Sequence, residues 1–276
     1  MKDGKIAILV VNPNSSGSMT RELESTARDM RLPPDIVLTF LTGPPGAPAS
    51  INSIADSVLS AALVLNTNFG GSALFNHVAT RANFDAVVVA CFSPHPLVPI
   101  IREAAPGYRA IGIYEAAVQT ANQLGLRFGI VTTGAAWEPI LYNALEASTG
   151  VCKERCVGVI GTGVAVLDLD HGDTTRKALL EASIKLLKDG AEAIILGCAG
   201  MSSLAKQLQD DLLHAEPWKV GLRTQHVPVI DGVRAAIEIA ASLSRQTDLL
   251  PLADATEIQS LEEAALDFNS NLKAET

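Results

Sequence analysis

Short apolar, β-branched runs recur along the chain at Ile6–Val11, Ile36–Leu41, Ala86–Ala90, Ala110–Ile113, Arg127–Thr132, Val157–Ile160, Ala193–Leu196 and Val227–Ile230. Most are nearly continuous rather than alternating. A strand covered on one face alternates apolar with polar positions. A strand covered on both faces does not, so these runs predict buried strands in parallel sheets. Between them, apolar positions fall at helical spacing over Met19–Met30, Ile54–Leu65, Thr174–Lys188 and Ser202–Leu213. Strand–helix alternation of this kind predicts a doubly wound α/β architecture.

The pattern repeats. Phe84–Cys91 (FDAVVVAC) resembles Ala191–Cys198 (AEAIILGC), each an apolar run closed by a cysteine, at an offset of 107 residues. At a nearby offset, Ile6–Ser16 faces Phe128–Trp137, and Ala110–Ala121 faces Pro228–Ala240. Three corresponding pieces in one order suggest duplicated halves. Strand gives way to helix near Tyr114 and Asp231, which places the lobe boundaries there. One lobe then comprises residues 1–114 plus 231–276 and carries Cys91, and the other comprises 115–230 and carries Cys198. The helix expected over Gly232–Leu243 returns to the first lobe. Beyond Thr247, Pro251 and the acidic pattern Glu257–Phe268 read as an appended surface helix and a frayed tail.

Composition narrows the function classes. With 276 residues, 48% hydrophobic and 18% charged, the chain can bury a sizeable core. Its net charge of −9 argues against nucleic acid or an anionic membrane as partner, because both need a basic face. No apolar run reaches the roughly 18 to 20 residues that span a bilayer. The N-terminal run Ile6–Val11 ends in Asn12-Pro13-Asn14, too short for a secretory leader, so it reads as a first strand. Four cysteines in a long chain with no leader fit free thiols and a cytoplasmic location.

The chemistry gathers at the ends of the strands, where open α/β sheets bind their ligands. Cys91 and Cys198 both stand there, each followed by a turn and an expected helix. Amide groups at a helix N-terminus stabilise an anion, which predicts lowered thiol pKa values. A single strand-end cysteine is commonly just a small buried hydrophobe. Two at equivalent places of a repeat are better read as a pair. Two thiols across a cleft can invert a stereocentre: one thiolate removes a proton from a carbon beside a carbonyl, and the other thiol protonates the opposite face. This is general acid–base catalysis that needs no cofactor.

The pieces VVNPNSSGSMT (Val10–Thr20), GPPGAPASI (Gly43–Ile51), FDAVVVACF (Phe84–Phe92), IGIYEAAV (Ile111–Val118), RFGIVTT (Arg127–Thr133), AIILGCAGM (Ala193–Met201) and VPVIDGV (Val227–Val233) resemble the aspartate/glutamate racemase superfamily, and within it the hydantoin/allantoin racemase branch. They cover most of residues 5 to 240 in the family's order. The resemblance implies two pseudo-symmetric, Rossmann-like lobes with parallel sheets and an interlobe cleft. It implies a cofactor-independent racemase of a 5-substituted hydantoin or allantoin-like compound, acting as a homo-oligomer, with Cys91 and Cys198 as the acid/base pair. Asn12 and Asn14 match a strand-end loop whose amides could bind a ring carbonyl or carboxylate. Ser50 and Ile51 match a loop that closes over the substrate. Phe92, Ser93, Ala199 and Gly200 match positions whose backbone N–H groups cradle the substrate's acidic end. Thr132 and Thr133 match a strand-end pair of the second lobe, where a threonine could equally be a helix N-cap.

Two departures bear on the substrate. Hydantoin racemases of bacteria commonly carry a glycine and an acidic residue after the first cysteine, where this chain has Phe92-Ser93-Pro94-His95-Pro96. Residues 66–76 read as an insertion or a reshaped pocket wall. Aspartate/glutamate racemases and maleate-type isomerases or decarboxylases of the same fold stay open as alternatives, as does a non-catalytic ligand-binding relative. His95 could tune the Cys91 thiolate or be a solvated turn residue. The other histidines have no metal-ligand spacing, and Cys152 and Cys156 form a lone C-x3-C, so no metal is expected. Gly158, Gly161 and Gly163 do not form a dinucleotide loop, and Asp231 reads as an N-cap close to the cleft.

Overall fold

The computed structural model describes residues 5–69, 72–73, 84–104, 108–169, 172–215 and 226–246. The expected helix Glu257–Phe268, the tail after Thr247, His77 and His171 lie outside these residues, as does part of 66–76.

Strands β1 (Ile6–Asn12) and β2 (Ile36–Thr42) come first. A short antiparallel hairpin follows, made of β3 (Asn68–Phe69) and β4 (Ser72–Ala73) inside the segment that the sequence marks as an insertion. Strands β5 (Ala86–Val89) and β6 (Arg109–Gly112) complete a parallel sheet in the order β2-β1-β5-β6. The second sheet is built from β7 (Phe128–Thr132), β8 (Cys156–Gly161), β9 (Ala193–Leu196) and β10 (Val229–Asp231), all parallel, in the order β10-β9-β7-β8. Read from its other edge, the second sheet repeats the first: β7 stands for β1, β8 for β2, β9 for β5 and β10 for β6. The two cysteines therefore follow equivalent strands.

The central strands β1, β5, β7 and β9 are nearly continuous apolar runs because both their faces are covered, whereas the edge strands β2 and β8 are half-exposed. In β1, Ile8 and Val10 enter a core shared with the second sheet's Phe128, Ile130 and Ile195, while Leu9 and Val11 enter a separate core with Leu97 and Ile101. In the second sheet Val131, Ile194 and Leu196 face a third core with Leu186 and Leu208. One hydrophobic core thus runs between the two sheets, and each sheet's far side has its own.

Helices lie between the strands. They are α1 (Gly17–Arg28), α2 (Ile54–Leu65), α3 (Leu97–Ala104), α4 (Ile113–Gln123), α5 (Trp137–Thr149), α6 (Asp173–Lys188), α7 (Ala205–His214) and α8 (Gly232–Arg245). Local chemistry sets several of their ends. Ser16 caps α1 by accepting from the Met19 N–H, and Ser53 caps α2 by accepting from Asp56 N–H. α5 stops at Gly150, whose φ of 68° suits glycine. The helix expected from Ser202 begins instead as a 3-10 turn, Ala199–Leu204, that runs into α7.

The crossover helices α4 and α8 pack against each other. α4 follows β6 and touches β9 and β10, whereas α8 follows β10 and lies against β1, β5 and β6. Their N-termini meet closely: a Cβ on Gly232 would sit 2.6 Å from the Ile113 carbonyl oxygen, so a side chain there would force the two apart.

Candidate active site

Each sheet directs the carboxyl ends of its central strands into one cavity. From the first sheet come Asn14 beyond β1 and Ala90-Cys91-Phe92 beyond β5, with Met19 of α1 and Ile51 before α2. From the second come Gly197-Cys198-Ala199 beyond β9, Thr133 beyond β7, Trp137 at the start of α5, and Val166. The two cysteines share this cavity although 107 residues separate them in the chain. Both are free thiols and partly open to the cleft.

The sulfurs sit in different surroundings. Cys91 Sγ lies 3.3 Å from the Ser93 hydroxyl. Burial pushes the Cys91 thiol up to about 12; the Ser93 hydrogen bond opposes this, and the charges of Cys198 and Glu115 add to it. Burial also raises Cys198, to about 11, against the lowering effect of the Gly200 and Met201 backbone N–H groups; the Glu22 carboxylate raises it further. The expectation of lowered thiol pKa values is therefore overturned. The helix-terminal amides act in the expected direction at Cys198, but loss of hydration outweighs them. A thiolate formed in this cleft is correspondingly a stronger base.

The other residues singled out in the sequence divide into two groups. Asn14, Ile51, Phe92, Thr133 and Ala199 line the cavity with the cysteines. Asn12, Ser50, Ser93, Thr132 and Gly200 do not line it, and their polar groups are engaged by the chain. Asn12 Nδ2 donates to Ser16 O and Thr20 Oγ1, and its Oδ1 accepts from Asn14 N–H. Ser50 accepts from Asn52, Thr132 Oγ1 donates to Gly197 O, and Ser93 N–H donates to Cys91 O. The Gly200 N–H serves the Cys198 sulfur. Asn14 keeps more freedom: its Oδ1 accepts from Ser16 N–H, while its Nδ2 reaches only the Met19 sulfur, a weak acceptor.

His95 fills neither role expected of it. It is fully buried, its Nδ1 accepts from Leu97 N–H at 3.3 Å, and its Nε2 lies 3.0 Å from Ser60 Oγ. Ser60 donates its own proton to Ser57 O, so Nε2 carries the imidazole proton and the ring is neutral. Burial lowers its pKa to about 4. His95 thus pins the loop after Cys91 to α2. Asp231 caps α8 by accepting from Val233 N–H, as its sequence context predicts, and it also accepts from the Ser202 hydroxyl.

Sequence reasoning passed over Met19, Trp137 and Val166. Met19 lies in a piece already noted and Trp137 four residues past a strand-end threonine, but neither residue type signals a pocket wall. It also passed over Glu115 at the start of α4, half-buried with its Oε2 shut away from water, whose pKa this burial pushes up to about 7.

The chain resembles known proteins over most of its length. A family model described as Asp/Glu/hydantoin racemase matches residues 8–240. A hydantoin racemase of Rhizobium meliloti is 36% identical over 236 residues, 86% of this chain and 88% of that protein. Two solved allantoin racemases superpose with a TM-score of 0.69: that of Pseudomonas fluorescens is 30% identical and covers 87% of this chain and 91% of its own. That of Klebsiella pneumoniae is 32% identical and covers 87% and 88%.

Proposed function

The chain belongs to the Asp/Glu/hydantoin racemase family, and from that premise we propose that it is a cofactor-independent racemase of a 5-substituted hydantoin or allantoin-like ring. The observation that carries this reading is the meeting of Cys91 and Cys198, from equivalent strands of two sheets, in one cavity. One sulfur, as thiolate, takes the proton from the ring carbon beside the carbonyl. The other, as thiol, delivers a proton to the opposite face. The roles reverse for the other enantiomer, so two groups of similar basicity suit the reaction. The ring carbonyl delocalises the developing charge, and the Asn14 amide and the backbone around Cys91 and Cys198 are placed to receive it. No lysine or arginine is among the described lining residues, which favours a neutral ring over a free dicarboxylate.

The same reading extends to organisation. Among the described residues, those within 1–114 and 231–276 make up the lobe of Cys91 and those within 115–230 the lobe of Cys198; the packing of α8 on β1, β5 and β6 supports this division. A homo-oligomer is supported by the exposed Ile54, Val58 and Leu59 along α2, an apolar face that a second copy would cover. No described helix is long and apolar enough to cross a membrane. The free thiols favour a reducing, cytoplasmic location.

The test is loss of optical rotation by enantiopure 5-substituted hydantoins and allantoin in deuterated water. Racemisation with uptake of one solvent deuterium is expected. Cys91→Ser and Cys198→Ser should each cut the rate by about 10³-fold or more, as loss of a proton-transfer group does. Full activity in both variants would sink the two-thiol reading.

A further inference from the structure

The two thiols stand at equivalent positions, yet what surrounds them is unequal. Cys198 Sγ meets the Gly200 backbone N–H, which can only donate and so favours a thiolate, and the Met201 N–H, bonded to the Cys198 carbonyl oxygen, acts in the same direction from nearby. Cys91 Sγ meets a hydroxyl, which can either donate or accept. Behind it lies a buried carboxyl. Gly112 pairs with Val89 across β5 and β6, so Cys91, two residues past Val89, and Glu115, three past Gly112, come off adjacent strand ends. Glu115 Oε2 is buried without a hydrogen-bond partner. It occupies the space left by a missing side chain: a Cβ on Gly112 would lie 2.0 Å from it. A buried carboxyl oxygen with no partner calls for an explanation. Arg102 faces Glu115 electrostatically, but its guanidinium donates at 3.0 and 2.7 Å to Ala110 O. The other titratable groups that sense Glu115 are Cys91 and Tyr114. A carboxylate faces Cys198 as well, that of the half-buried Glu22, but there the Gly200 N–H opposes its effect.

We propose that Glu115 is a positioning residue that makes the pair unequal: its buried carboxylate keeps Cys91 protonated in the resting enzyme, so that Cys198 ionises first and is the resting base. This rests on the two-thiol reading of the site. The direction of the shifts agrees, since an ionised Glu115 and an ionised Cys198 both raise Cys91. The resting enzyme then meets one enantiomer with its base in place, whereas the other enantiomer requires the proton to be on Cys198. Because two enantiomers in water are equal in free energy, kcat/KM stays equal in the two directions. The bias appears instead as unequal kcat and KM values.

Alkylation of the full chain by iodoacetamide, followed site by site through peptide mass, tests this without substrate. Cys198 should react faster than Cys91. Its rate should climb about tenfold per pH unit, as a thiolate fraction does. The Cys91 rate should climb less steeply through about 7, where Glu115 ionises and holds it back. Glu115→Gln should restore the full slope at Cys91 and raise its rate several-fold, leaving Cys198 unchanged, and should narrow the kcat difference between enantiomers. Glu115→Asp should keep the shallow slope. If Glu115→Gln does not fold, Gly112→Ala displaces the carboxyl without removing it and should change the rate at Cys91 alone. Cys91 reacting as fast as Cys198 in the unaltered chain, or an unaltered Cys91 profile in folded Glu115→Gln, overturns the inference. Normal alkylation order in a chain that racemises none of the substrates overturns the proposed function instead.

Discussion

At the scale of single residues, the two asparagines of the first strand-end loop illustrate how similar side chains divide their work. Asn12 spends its amide on Ser16, Thr20 and Asn14, fully inside the chain. Asn12→Ala should therefore lower stability by about 1–3 kcal/mol, the cost of leaving buried partners unpaired, which a urea titration would measure. Asn14 retains donor capacity toward the cavity, so Asn14→Ala should raise KM or lower kcat by more than its effect on Tm would suggest. Equal effects of the two variants on stability and turnover would refute this division. His95 gives a pH prediction. Its pKa is about 4 in the fold against an ordinary 6.5. The unfolded chain therefore binds a proton that the folded chain refuses. His95's share of stability is intact above about 6.5 and is lost as pH falls toward about 4, on the order of 3 kcal/mol in all. His95→Asn should flatten that part of the stability–pH curve. An unchanged curve would show that another group is responsible.

At the scale of elements, the start of α8 does two things. Asp231 caps the helix and ties it to the 3-10 turn after Cys198 through Ser202. Burial raises its carboxyl pKa, which the Ser202 and Val233 hydrogen bonds oppose. Asp231→Ala removes the cap and orphans Ser202, and should cost about 1–2 kcal/mol in a chemical denaturation series. Gly232→Ala should cost at least as much, because its methyl would meet the Ile113 carbonyl oxygen at 2.6 Å and push α8 off α4. A neutral Gly232→Ala would mean that the two helices slide apart freely. The elements themselves were largely legible. Continuous runs such as Ala193–Leu196 are strands because both faces are buried, and the sequence pattern carries that directly. The 3-10 turn Ala199–Leu204 was not legible, since its small residues satisfy a helical pattern and only the tight passage after Cys198 winds it closer.

At the scale of the molecule, the exchange of α4 and α8 ties the halves together. Each helix follows a strand of one sheet and packs toward the other half, and the core of Ile8, Val10, Phe128, Ile130, Ala236 and Ala240 is common to both. Neither half buries its apolar surface alone. Thermal unfolding should therefore be a single transition, with calorimetric and van't Hoff enthalpies in agreement. Two resolved transitions would show that the halves are independent.

What the sequence by itself determined was the α/β class, the duplication and the pairing of Cys91 with Cys198, because apolar periodicity and a strand-closing cysteine are local signals that repeat. It also marked Asn14, Ile51, Phe92, Thr133 and Ala199, which the cavity brings together. Only the tertiary structure decided that Asn12 and Thr132 serve the backbone rather than the cleft, that His95 is a buried neutral tether, and that Trp137, Met19 and Val166 wall the pocket. It alone decided that the thiols are raised in pKa rather than lowered. The physical reason is common to all of these. Hydration and hydrogen-bond partners are properties of the folded surroundings, set by residues far away in the chain, and no local pattern records them.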